Sequence, residues 1–258
     1  MNTKAIAAAL AAAATLVSST ALIAPSAHAK AKTNVSVVLV HGAFADAASW
    51  DKVAAILRKK GIKTTEVQNP LTSLADDVAA TKAVLAAQTG PVVLVGHSWG
   101  GVVIGESGDD PKVKALVYVA AFGLDKGESI NGISAGSTPP PGILALKPNA
   151  QGMLLVDAAR FPTVFADGVP AAEAEKMARD QIPTSPTVFD AKSAVAAWHV
   201  KPTYYAISTE DEMIPPAAEA MFAKRMNATT ISLQSSHAAM VSHPKDVADL
   251  IIKAVEAK

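Results

Sequence analysis

The stretch "VVLVGHSWGGVVI" (Val92 to Ile104) runs from an apolar segment into Gly96, His97, Ser98, Trp99 and Gly100, then out into a second apolar segment. A serine in G-x-S-x-G spacing arises by chance in roughly one chain in ten of this length, so its surroundings must decide whether it is a nucleophile or a polar turn residue. Pro91 to Val95 is short, β-branched and continuously apolar, the pattern of a strand buried on both faces. The run "WGGVVIGESG" after it reads as a short helix. Strand, sharp turn and helix hold a serine in a strained conformation at the top of a sheet, and small neighbours let strand and helix approach closely.

Working outward, buried strand patterns alternate with helical ones. "VSVVLVHG" (Val35 to Gly42) reads as a strand. "SWDKVAAILRKKG" (Ser49 to Gly61) has apolar residues at helical spacing (Trp50, Val53, Ile56, Leu57) and ends on a glycine. "IKTTEV" is a second strand. "SLADDVAATKAVLAAQTG" (Ser73 to Gly90) is a second helix, with Ser73 as its cap and Asp76 in its first turn. "VKALVYVAAF" (Val113 to Phe122) is the strand after the Ser98 turn. This alternation predicts an α/β fold, a mostly parallel sheet with helices on both faces.

The rhythm breaks after Phe122. Residues 123 to about 200 are rich in proline and glycine ("AGSTPPPG", "QIPTSPT"), with short helical pieces expected around Ala150 to Phe161 and Pro170 to Asp180. It then resumes with "PTYYAIS" as a strand, "PPAAEAMFAKRM" as a helix, "TTISLQS" as a strand and "PKDVADLIIKAVEAK" as a helix with Pro244 in its first turn. An insertion between two strands, at the end where parallel strands terminate, is placed to act as a lid over a site. An irregular surface excursion is the plainer alternative.

Ahead of this domain, residues 1–29 carry one lysine, an alanine-rich apolar core and an A-x-A site at Ala27 to Ala29, the pattern of a secretory signal peptide. Ala5 to Ala24 is long enough for a membrane anchor, but Thr15, Ser18, Ser19 and Thr20 interrupt it and the cleavage site follows it. The expectation is an exported protein, periplasmic or extracellular, with one domain over residues 30–258 and no membrane contact once the leader is gone. The chain has no cysteine, so neither disulfides nor thiolate metal sites are available, and stability must come from the core. Half the residues are apolar, enough for a large core. Lysine plus arginine (23) balance aspartate plus glutamate (23), and no basic stripe appears, which argues against a nucleic-acid partner. Nothing in the sequence sets an oligomeric state.

A serine hydroxyl needs a base, and the base needs a carboxylate to fix its tautomer. In a fold of this kind the chain order is serine, acid, histidine. His199 precedes a strand and His243 sits directly before Pro244 at a helix start, whereas His237 lies in the loop after the last strand, so His237 is the expected base. "AISTEDEMIPP" offers Glu210, Asp211 and Glu212 after the preceding strand; Asp211 is the leading choice, with Asp125 a substitute one strand earlier. An oxyanion needs two donors. Trp99 N–H, next to the serine, supplies one, and Ala43 N–H, in "VHGAFAD" after the first strand, is the candidate for the other. His41 and Gly42 would shape that loop.

"VVLVHGAFADAASW", "PVVLVGHSWGGVVI", "VKALVYVAAF", "YYAISTEDEMIPP" and "SSHAAMVSHPKDVADLI" resemble the α/β-hydrolase superfamily, nearest the small bacterial hydrolases akin to plant methyl esterases and hydroxynitrile lyases. The resemblance covers most of residues 35–255, the insertion only loosely. It implies Ser98, Asp211 and His237 as a triad, Ala43 and Trp99 as oxyanion donors, and an α/β-hydrolase fold. The departures narrow the chemistry. Hydroxynitrile lyases of this branch carry a threonine where this chain has Gly42 and a lysine where it has Ala238, so cyanohydrin cleavage is disfavoured. Dehalogenases and epoxide hydrolases place an aspartate where this chain has Ser98.

The expected activity is therefore hydrolysis of small to medium apolar carboxylic esters through an acyl-enzyme, with a small-molecule ester as partner and no metal or organic cofactor. Phe44, Phe122 and Trp198 are candidates for substrate contact. The alternatives are a ligand-binding protein on the same fold, for which a degraded triad would be the signature, and another chemistry on the same triad: amide cleavage, acyl transfer or perhydrolysis.

Overall fold

The computed structural model describes residues 34–257, and the leader read over residues 1–29 lies outside them. β1 (Ser36–Val40) leads through a 3-10 turn at Ala47–Trp50 into α1 (Asp51–Lys59), followed by β2 (Thr64–Val67), α2 (Leu74–Ala86), β3 (Val92–Ser98), α3 (Gly100–Ser107) and β4 (Val113–Ala121). The next stretch carries α4 (Ile130–Ser134), β5 (Leu146–Pro148), β6 (Leu154–Val156), α5 (Phe161–Val164) and α6 (Ala171–Arg179). β7 (Thr203–Ser208), α7 (Pro216–Arg225), β8 (Thr229–Leu233), α8 (Ala239–Ser242) and α9 (Pro244–Glu256) complete the described chain.

The valine- and leucine-rich runs form the inner strands, and every residue of β1 and β3 is buried. The six-stranded sheet has the order β2-β1-β3-β4-β7-β8, and every neighbouring pair is parallel. β8 closes one edge with Thr229 and Thr230 exposed, as an edge strand requires. The chain steps from β1 outward to β2 and then back past β1 to β3. With right-handed crossovers, that reversal puts α1 and α2 on opposite faces. The packing agrees, α1 lying against α9 and α2 against α3.

Residues 150–161 do not form the helical piece expected of them. Asn149 Oδ1 accepts the N–H groups of Gln151 (2.9 Å) and Met153 (3.0 Å), making a turn that sends Leu154–Val156 back as β6, antiparallel to β5. A side-chain acceptor that takes the amides a helix would use is the local competitor of a helix. The piece expected over Pro170 to Asp180 is α6.

The join between β3 and α3 is tight. A Cβ at Gly96 would lie 2.4 Å from the carbonyl oxygen of Gly100, a backbone atom that cannot swing aside. Gly96→Ala is therefore expected to cost about 1–3 kcal/mol, the range for overpacking a core. A urea midpoint unchanged from wild type would mean that the turn yields after all.

Candidate active site

Ser98, the loop at Ala43, Asp211 and His237 all follow the carboxyl ends of parallel strands: β3, β1, β7 and β8 respectively. The chain leaves β1 in one direction along the sheet and β3 in the other, so Ala43 and Ser98 flank the point where strand order reverses. Ligands of open parallel sheets bind in that crevice.

Ser98 has φ +54°, a left-handed conformation that costs a non-glycine residue about 1–3 kcal/mol and that recurs where function demands it. The neighbouring strand accommodates the turn. His97 pairs with Val119 but Ser98 pairs with Ala121, leaving Ala120 (φ +44°) as the extra residue of a bulge. Phe122 N–H donates to the Ser98 carbonyl at 3.2 Å. The buried Tyr205 hydroxyl pins the bulge from β7, accepting from Ala121 N–H at 3.1 Å and donating to the Ala121 carbonyl. On the other side, a Cβ at Gly42 would stand 2.6 Å from Ser98 Cβ, so glycine there lets the loop after β1 lie directly on the serine.

Asp211 and His237 are buried together. The Nδ1–H of His237 donates to Asp211 Oδ2 at 2.6 Å, while Asp211 Oδ1 accepts Met213 N–H (2.6 Å) and Ile214 N–H (2.9 Å). A carboxylate can only accept here, so the imidazole carries its proton on Nδ1 and leaves Nε2 bare. His97, adjacent to Ser98, donates from Nε2 to the His237 carbonyl at 3.0 Å, and the two rings are 4.6 Å apart. Burial, and then the nearby His237, hold the His97 imidazole well below the usual histidine range, so it stays neutral. The insertion also grips the His237 loop. Phe165 packs edge-on against the imidazole at 4.8 Å and its carbonyl accepts Ala238 N–H (3.0 Å), while Ser236 Oγ donates to the Asp167 carbonyl (2.7 Å). The Ser98 hydroxyl holds no hydrogen bond among the described residues. Such bonds are often loose in ligand-free sites.

Ala43 and Trp99 are buried, and neither N–H is spent on a hydrogen bond among the described residues. The geometry around both is fixed by side chains. Asn69 N–H donates to His41 Nε2 (2.9 Å), Asn69 Nδ2 donates to the His41 carbonyl (2.9 Å), and His41 Nδ1–H donates to the Gly42 carbonyl (2.8 Å). Phe44, at φ +61°, donates its N–H to Thr184 Oγ1 of the insertion (3.3 Å). The indole of Trp99 donates to the buried Asp77 Oδ2 (2.7 Å), whose Oδ1 accepts Leu71 N–H (2.8 Å). Asn69, Asp77, Thr184 and Tyr205 are members of the site that sequence reasoning missed. Only Asp77, a charge on the buried side of a helical pattern, left a signal that could have been read.

Two of the rival candidates pair with each other, and the third meets a neighbouring serine. His199 Nε2 and Asp125 Oδ1 meet at 3.0 Å with half-exposed side chains, and His243 Nδ1 meets Ser242 Oγ at 2.9 Å. Phe122 lines a cavity of about 560 Å³ walled by the insertion and by the segment after Asp211, including Ile133, Leu154, Phe189, Ile214 and Phe222. Phe44 lines a separate pocket of about 270 Å³ and touches Phe189 with its ring. Trp198 lines neither pocket: it is packed in the core, its indole donating to the Leu124 carbonyl (2.9 Å) beneath Arg225.

A strained serine sits between two strand-end loops, and a buried aspartate–histidine pair lies at the same end of the sheet. A family model described as alpha/beta hydrolase family matches residues 37–250. The chain belongs to the alpha/beta hydrolase family. Among curated proteins, a carbendazim hydrolyzing esterase of Nocardioides sp. (strain SG-4G) is 31% identical over 117 residues, 40% of this chain and 48% of that protein. The chain thus aligns with about half the length of that relative. Among solved structures, a pyrethroid hydrolase from Sphingobium faniae JZ-2 superimposes with a TM-score of 0.74 at 24% identity, covering 86% of this chain and 98% of that one. A methylesterase from Arabidopsis does so with a TM-score of 0.70 at 20% identity over 86% and 98%. At these identities the solved structures speak for the alpha/beta hydrolase fold.

Proposed function

We propose that the protein is a serine esterase acting on small to medium apolar carboxylic esters. The observation that carries this reading is the buried 2.6 Å His237–Asp211 bond, which leaves Nε2 bare at the same end of the sheet as the strained Ser98. In the proposed cycle, His237 Nε2 takes the Ser98 proton as Oγ attacks the acyl carbon. The Ala43 and Trp99 N–H groups hold the oxyanion. His237 then returns the proton to the leaving alcohol, and finally activates the water that releases the acid. Asp211 keeps the imidazole in the required tautomer and offsets its charge while it is protonated. The relatives named as esterases and hydrolases support ester chemistry over the alternatives.

The 560 Å³ cavity supports the apolar substrate class. Phe122 and Ile214 tie it to the site, because Phe122 N–H holds the Ser98 carbonyl and Ile214 N–H holds Asp211. Asp190 is the charged residue in its lining, and no lysine or arginine is there to bind a phosphate or carboxylate. In this reading the insertion serves as a lid, since its residues between Ile130 and Asp190 supply most of the wall.

The test uses p-nitrophenyl esters of rising acyl length. Turnover is expected to increase severalfold from acetate to butyrate, to fall again for long acyl chains, and to be lost for an anionic acyl group such as a hemisuccinate. Equal turnover of the hemisuccinate would overturn the apolar assignment. Absence of turnover on every ester, with the protein folded, would overturn the esterase reading itself.

A further inference from the structure

Beside Asp211 stands a second carboxyl that the proposed reaction does not use. Glu219, in the first turn of α7, is fully buried. Its Oε2 accepts Ser208 N–H at 3.0 Å, its Oε1 is buried with no donor among the described residues, and its carboxyl is in hydrogen-bonding contact with that of Asp211. Two carboxylates in contact, both out of water, cannot both be ionised, so the pair retains one proton. The donors decide where it sits. Asp211 receives two backbone N–H groups and the His237 N–H, whereas Glu219 receives one backbone N–H. Glu219 is therefore the carboxyl with fewer donors to hold a charge.

We propose that Glu219 is a positioning residue: it keeps its proton and donates it as an O–H hydrogen bond to the Asp211 carboxylate, fixing the acid that orients His237. Its role in catalysis rests on the esterase reading, but its protonation state does not. Burial first, and then the Asp211 charge, push the Glu219 carboxyl well above the usual carboxylate range, in the direction the donor count requires. Among the described residues no cation is paired with it. Tyr205 faces it from β7 with its hydroxyl committed to Ala121, and Arg225, later on the same helix, is turned to Glu128 and the Gly123 carbonyl. His237 meets Asp211 through its Nδ1–H.

The proton can be read directly. Infrared difference spectra between wild type and E219Q at neutral pH are expected to contain the carbonyl stretch of one buried protonated carboxylic acid, lost in E219Q. The band should shift in Asp211→Asn, where its acceptor changes. Its absence from the difference would mean that Glu219 is ionised, and an unshifted band in Asp211→Asn would mean that the O–H points elsewhere; either overturns the proposal. In ester turnover, E219Q, whose amide N–H also donates, is expected to stay within about threefold of wild type. Glu219→Leu, which removes a hydrogen bond to a charged group, should lower kcat about tenfold with KM unchanged. A folded Glu219→Leu protein with wild-type kcat would refute the positioning role. The infrared arm needs no esterase activity and no Leu variant, so it decides the protonation even if turnover is absent or Glu219→Leu does not fold.

Discussion

Ser98→Ala is expected to lower kcat for p-nitrophenyl butyrate by about a millionfold, as loss of the nucleophile does in serine hydrolases, while leaving KM within a fewfold. The same variant should lose the single adduct that a fluorophosphonate probe adds to the wild-type chain, read by intact mass. The size of the effect follows from geometry. In the proposed cycle His237 Nε2, left bare because Nδ1–H is committed to Asp211, accepts one proton, and the Ser98 hydroxyl, held at the strand end by the Gly96 turn and the Gly42 loop, would supply it. In the proposed cycle the free N–H groups of Ala43 and Trp99 would still stabilise an oxyanion on a bound ester once the hydroxyl is gone. A small residual rate above water is therefore expected. Alanine keeps a Cβ at the same backbone position, so stability should change by less than about 1 kcal/mol. Turnover within tenfold of wild type, or a surviving adduct, would show that the nucleophile lies elsewhere and would leave the ligand-binding reading standing.

The parallel sheet was legible because burial on both faces forces uninterrupted apolar strands, and "VSVVLV", "VVLV" and "ALVYVAA" contain no polar residue that would have to find a partner in the core beyond Ser36 and Tyr118. The Ser98 turn was legible through Gly96, whose missing side chain is required by contact with the Gly100 backbone. His237 and Asp211 could be ranked because a parallel sheet delivers strand ends to one edge, so position after a strand stands in for distance. What hid from the sequence depends on long-range partners. Thr184 and Phe165 belong to the insertion, where proline- and asparagine-built turns replace periodicity. Nothing local marks Thr184 as the acceptor of Phe44 N–H, or the Phe165 carbonyl as the acceptor of Ala238 N–H. Asn149 turned an expected helix into a hairpin by the same local chemistry. Trp198 was read toward the substrate on its size and position, and its indole instead found a carbonyl in the core. Glu219 carried no signal, because a sequence does not reveal which side of a first turn meets the sheet.

Asp211→Asn is expected to lower kcat by about four orders of magnitude, far more than loss of one charge near a histidine would cause, because it reverses the imidazole's tautomer. The two backbone donors fix the orientation of the new side chain. Met213 and Ile214 N–H both point at one terminal atom, and only the amide oxygen of an asparagine can accept from them, so its NH2 group is turned to His237 Nδ1. A donor there drives the imidazole proton from Nδ1 to Nε2. Nε2 then presents an N–H to Ser98 and cannot take its proton. The geometry survives while the base is disabled, so KM should stay near wild type and fluorophosphonate labelling should slow in proportion to kcat. Nitrogen-15 chemical shifts of the His237 ring would register the change of tautomer directly. Asp125→Asn, which alters a half-exposed pair with His199, serves as the control and should keep the wild-type rate. If Asp125→Asn were the damaging variant and Asp211→Asn harmless, the acid of this site would be the one after β4, and the buried 2.6 Å bond at His237 would be structural.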